Sequence, residues 1–76
     1  MLFNEIKEIL ASQLEIDEDD IEMTSNIYDD LGADRLDIAD IVMTVEDEYS
    51  IEVTDEALEE IKLVEDLVYF IDSNLN

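Results

Sequence analysis

Between Leu2 and Leu14 the apolar residues fall at Leu2, Phe3, Ile6, Ile9, Leu10 and Leu14, a three-and-four spacing that places them on one face of a helix. From Glu15 to Asp34 the regularity is lost. This stretch carries the acid cluster Asp17 to Asp20 and the chain's only glycine, Gly32, yet Ile16, Ile21, Met23, Ile27, Tyr28 and Leu31 punctuate it. Such a pattern predicts a long loop pinned to a core, and loops of this length inside small domains usually serve a function. Asp34 is a good N-cap, and a second helix over Arg35 to Tyr49 follows from the stripe Ile38, Val42, Val45 and Tyr49, with Ala39 and Ile41 beside it. Ile51 and Val53 read as anchored loop residues. Thr54 followed by Asp55 and Glu56 starts a short third helix near Leu58 and Ile61, where the acids favour the positive end of the helix dipole. Val64, Leu67, Val68, Ile71 and Leu75 line a fourth helix, from which Glu65, Asp66 and Asp72 point away. No segment alternates with period two for long enough to form a strand. The expected fold is all-α, a small four-helix bundle of three longer helices and one short one over residues 1–76 as a single domain.

Composition narrows what such a bundle can do. Leu, Ile, Val and Phe supply 26 of the 76 residues, enough to fold a chain of this charge. Twenty-four acidic residues face only Lys7, Arg35 and Lys62, a formal net charge of −21, so self-repulsion opposes compaction. Nucleic acid and anionic membrane surfaces are poor partners for such a chain, because both are bound through Lys and Arg. Partners with basic patches are expected instead. The absence of cysteine and histidine removes disulfides, thiolate chemistry and the commonest general base and zinc ligand. No apolar run approaches the roughly 20 residues that span a bilayer, and no charged-then-apolar leader opens the sequence, so a cytoplasmic protein not inserted in a membrane is the expectation; a monomer is expected as well, though nothing in the pattern of residues derives it.

The second helix carries the most information. Its outward face combines Leu36 and Met43 with Asp37, Asp40, Glu46 and Asp47, and residues 36, 40, 43 and 47 share one stripe. A solvated acidic helix with two incidental apolar residues is the plain reading. A docking surface is the sharper one, in which the acids steer a basic partner and Leu36 and Met43 supply contact area. Asp30-Leu31-Gly32-Ala33-Asp34 followed by Leu36-Asp37, Val42-Met43, Glu46, Glu48 and Tyr49 resembles the acyl carrier proteins, as does the order of helices and loop along essentially the whole chain.

That resemblance implies a non-enzymatic carrier of fatty acid biosynthesis, which holds acyl intermediates on a 4′-phosphopantetheine arm. Its implied partners are the phosphopantetheinyl transferase that installs the arm and the fatty-acid-synthesis enzymes that use it. Recognition would rest on Asp34, Leu36, Asp37, Asp40, Met43, Glu46 and Asp47. In the family the arm is joined to a serine in D-S-L at the start of the second helix, where this chain reads Asp34-Arg35-Leu36. A guanidinium cannot replace the hydroxyl oxygen of a phosphodiester, so Arg35 marks the attachment position without being competent for it, and an unmodifiable apo chain is expected. Ser12, Ser25, Ser50 and Ser73 stand in no D-S-L context. An engineered block, a natural non-carrier relative and a one-nucleotide change from serine all give this sequence. The alternative function is an acidic interaction or regulatory protein that uses the same face and never carries acyl groups.

Other chemistry fits poorly. In an EF-hand register starting at Asp17 the fifth position is Ile21, and placing Gly32 at the sixth puts Ile27 at the first, so no specific metal site is expected. Paired carboxylates on a solvated face without a cleft make poor acid–base catalysts.

Overall fold

The computed structural model describes residues 2–75, so residues 1 and 76 at the ends of the expected domain lie outside it. Its helices are α1 (Leu2–Leu14), α2 (Arg35–Tyr49), α3 (Asp55–Glu60) and α4 (Val64–Asn74), and a single 3-10 turn at Glu18–Asp20 interrupts the long loop. The apolar stripes become one core: Ile6 and Leu10 of α1, Ile27 of the loop, Ile41 and Val45 of α2, and Val64, Leu67 and Ile71 of α4 are all fully buried. Ile41 therefore belongs to the core itself. α1 packs against both α2 and α4. Burying a side chain of this size stabilises the fold by about 1.5–3 kcal/mol, which here must offset chain entropy and charge repulsion together.

Helix ends are set by specific bonds. α1 stops where Glu15 adopts a left-handed backbone, φ 56°, and the Ile16 amide donates back to the Ala11 carbonyl at 3.1 Å, a Schellman closure without glycine. Ser50, φ 54°, ends α2 in the same backbone region. α3 opens on Thr54, whose Oγ1 accepts from the Ala57 amide at 3.2 Å, and buries none of its residues fully. α4 differs from the expected pattern at both ends. Asp66 does not simply point away: its Oδ2 accepts from the Leu63 and Lys62 amides at 3.0 and 3.2 Å, half of a capping box that Leu63 cannot reciprocate. At the other end Leu75 directly follows the last helical residue, Asn74, and is 48% exposed; its amide bonds to the Asp72 carbonyl three residues back at 3.4 Å, a tightened last turn that takes it off the apolar stripe.

The long loop is ordered by bonds to the start of α4. The Ile27 amide donates to the Lys62 carbonyl at 2.8 Å, Val64 to Ser25 at 2.9 Å and Glu65 to Met23 at 2.9 Å, around an isolated antiparallel bridge between Asn26 and Leu63. Ile21, Ile27 and Leu31 are buried, and Ile16, Met23 and Tyr28 pack against the core. Beyond that bridge the described residues form no strand. None of their helices is long and apolar enough to cross a membrane.

Candidate functional site

The junction between the loop and α2 is built from short-range chemistry. Asn26 Oδ1 accepts from the amides of Tyr28 and Asp29, both at 2.9 Å, while Asp30 Oδ2 accepts from the Asn26 amide at 2.8 Å. These Asx bonds curl the chain into a turn. The amides of Asp30 and Leu31 then return to the Asn26 carbonyl, Gly32 to Tyr28 and Ala33 to Ile27, so the D-L-G-A-D segment is hydrogen-bonded at successive residues. Gly32 sits at φ 76°, and a Cβ there would meet nothing within 4 Å. Glycine is needed at this point for its backbone conformation and not for space.

Asp34 closes the loop and opens the helix. Its Oδ1 accepts from the Asp37 amide at 2.8 Å, and Asp37 Oδ2 accepts from the Asp34 amide at 3.1 Å, a reciprocal capping box built from two aspartates. Position 35 is thereby fixed as the first helical residue, and Arg35 is exposed there. With Lys62, Asn26, Tyr28, Asp29 and Glu59 it borders a surface pocket of about 410 Å³.

The outward face of α2 has two kinds of acid. Asp40 and Asp47 are exposed beside Leu36, 77% exposed, and Met43, 64% exposed. Asp40, Met43, Glu46 and Asp47 border one surface pocket together with Thr44 and with Gln13 of α1, whose Nε2 donates to Thr44 Oγ1 at 3.0 Å. Asp37 and Glu46 are half-buried and already engaged, Asp37 in the cap and Glu46 through Oε2, which accepts from the Val53 amide at 2.9 Å. Glu46 therefore braces the chain that leaves α2. Asp34 likewise has one oxygen committed to its own helix. The bracing by Asn26, Asp30, Glu46 and Asp66 was not singled out in the sequence, although an Asn two residues before Tyr28 and an acid at the third position of α4 are its local signatures.

The Tyr49 hydroxyl is buried between α1 and α2 without a hydrogen-bond partner. Its pKa is raised above 10.0 by that burial first, then by the carboxylates of Glu5 and Glu48. Among the described residues no group of three or more carboxylates is placed to hold a metal ion.

A family model described as "Phosphopantetheine attachment site" matches residues 4–71, which takes in the loop, the capping box and the whole of α2. An acyl carrier protein from Clostridium acetobutylicum is 46% identical over 71 residues, covering 93% of this chain and 92% of the relative. The chain belongs to the acyl carrier protein family. An acyl carrier protein from Campylobacter lari is 38% identical over 72 residues, with 95% and 94% of the two chains covered. Among solved structures, the acyl carrier protein from Enterococcus faecalis superposes with a TM-score of 0.82 at 33% identity, over 96% of this chain and 92% of that one. Acyl carrier proteins are carriers and not enzymes.

The start of α2 supplies no hydroxyl for a covalently attached arm. A phosphodiester needs a side-chain hydroxyl, and the first turn of α2 offers Arg35, Leu36 and Asp37. The serines lie elsewhere: Ser12 on α1, Ser25 buried with Oγ accepting from the Glu22 amide at 3.0 Å, Ser50 at the end of α2 and Ser73 in the last turn of α4.

Proposed function

We propose that this chain is a carrier-protein scaffold of fatty acid biosynthesis whose attachment position is occupied by Arg35, so that it persists as an apo form. On this reading it acts in the cytoplasm as one domain over residues 1–76, and engages a phosphopantetheinyl transferase and acyl-transferring or elongating enzymes through their basic patches. The observation that carries the reading is the junction at Asp34: an ordered D-L-G-A-D loop ends in a capping box that places residue 35 at the exposed start of α2, with Leu36, Asp40, Met43 and Asp47 following on the outward face. Asp40 and Asp47 steer the partner, while Leu36 and Met43 supply apolar contact.

The test reverses Asp40→Lys and Asp47→Lys together and measures binding to a phosphopantetheinyl transferase that serves fatty-acid carrier proteins. Asp37 is left in place because its carboxylate completes the cap, so reversing it would fray the helix as well as change the charge. Binding is expected to weaken by about tenfold or more, with the helical circular dichroism unchanged. Undiminished binding removes the docking reading.

Arg35 favours a second reading, an interaction protein that occupies carrier-binding enzymes through the same face without ever being loaded. The two part at position 35. A scaffold that has lost only its serine accepts the arm once a serine is restored, whereas a diverged regulator does not.

A further inference from the structure

We propose that the groove between α3 and α4 is a second docking face, built to receive a basic segment of a partner protein on the exposed ring of Tyr69. Among the described residues four large apolar side chains are exposed: Leu36 and Met43 belong to the α2 face, and Tyr69 and Leu75 stand on or just beyond α4. Tyr69 is 58% exposed and borders a groove of about 300 Å³ whose apolar wall is Ala57, Ile61 and Phe70 and whose charged groups are Glu60 and Asp66. The groove shares no residue with the pocket beside Met43.

Charge chooses the occupant. On α4 the ring has Glu65 four residues before it, Asp66 three before and Asp72 three after, all on its own side of the helix. None of the chain's three cations reaches the groove: Lys7 lies over the Phe3 ring, 4.9 Å from its centroid, and Arg35 and Lys62 border the pocket beside Asn26. An aromatic face ringed by carboxylates binds a guanidinium or ammonium by cation–π and ionic attraction together. A second copy of this chain would bring another −21 charges to the same face, and an anionic lipid surface would be repelled. A partner with Arg or Lys on an amphipathic helix is the complement, its apolar side meeting Ala57, Ile61 and Phe70.

The probe is a short amphipathic Arg/Leu helical peptide, with a Gln-for-Arg version as the uncharged control, titrated into the full ¹⁵N-labelled chain at low ionic strength. Shifts are expected at Ala57, Ile61, Tyr69, Phe70 and Ser73. Tyr69→Ser should weaken binding at these residues about fivefold, the size of one partly desolvated cation–π contact, while Tyr69→Phe keeps it and a Leu36→Ser, Met43→Ser variant leaves it unchanged. Shifts confined to α2, equal binding by the Gln peptide, or a Tyr69→Ser variant that binds as tightly as the parent would each overturn the proposal. A dimer in sedimentation that depends on Tyr69 would also overturn it, by assigning the face to a second copy.

Discussion

Removing the cap at Asp34 should destabilise the chain by an amount that can be worked out in advance. The Asp34 side chain satisfies the Asp37 amide at 2.8 Å, and the return bond from the Asp34 amide to Asp37 at 3.1 Å holds only while the box is closed. Replacing an N-cap aspartate by alanine typically costs about 1 kcal/mol. In a domain of this size that corresponds to a fall in Tm of about 4–8 °C. Asp34→Asn keeps an acceptor at a position where Asn and Asp cap about equally well, and at moderate salt loses only a screened charge–dipole share of about 0.3 kcal/mol, so its Tm should fall by less than half as much. Both substitutions remove one negative charge from a net −21, so the change in long-range repulsion cancels between them. Thermal unfolding followed by circular dichroism decides the matter. Equal falls for alanine and asparagine would mean that charge and not hydrogen bonding holds the start of α2, and no fall for alanine would refute the capping account.

Two further predictions concern stability. Tyr49→Phe removes a buried hydroxyl that has no partner and should stabilise the chain by about 1 kcal/mol in urea unfolding; a loss of stability would show that the hydroxyl is bonded. Because the folded pKa of this phenol lies above 10.0, the folded state holds the proton more tightly, so its contribution is complete below pH 10.0 and lost as pH rises through the raised value. The phenylalanine variant should therefore gain on the parent as the unfolding series moves to alkaline pH. Salt should stabilise the parent strongly: the molecule measures 29 × 25 × 20 Å, so charges across its whole width interact at about 0.01 M salt, where the Debye length is about 30 Å, and scarcely at about 1 M, where it is about 3 Å. A Tm that stays level over that range would mean that repulsion is not a leading cost.

Three of the four helices were legible in the sequence because they repeat their apolar residues at helical spacing, and the fully buried positions Ile6, Leu10, Val45, Val64, Leu67 and Ile71 are members of those stripes; the short α3 was legible from its Thr54 cap and the acids that follow it. The start of α2 could be read to the residue because Asp34 is a strong capping side chain. Periodicity says less about where a helix stops. Leu75 continues the stripe on paper, yet α4 ends at Asn74, whereas α1 and α2 end at Leu14 and Tyr49 where their stripes end, with Glu15 and Ser50 taking up the left-handed backbone that glycine usually supplies. The exposed pair Leu36 and Met43 was visible as a break in an acidic face. What periodicity could not show is that Asp37, Glu46 and Asp66 spend carboxylate oxygens on backbone amides, since an acid on a helix surface looks the same in sequence whether it caps a turn or faces solvent. Tyr69 was passed over for a related reason: between Val68 and Phe70 it reads as one more apolar residue of α4, and only the helix's rotation turns it outward.

The central claim is that this is a carrier scaffold lacking only a hydroxyl at position 35. It is tested most directly by intact-protein mass after incubating the chain and its Arg35→Ser variant with coenzyme A, magnesium and a promiscuous phosphopantetheinyl transferase. The account predicts a phosphopantetheine mass gain for the serine variant alone. A gain on the parent chain would place the attachment elsewhere, and no gain on either would contradict the carrier reading in favour of the regulator.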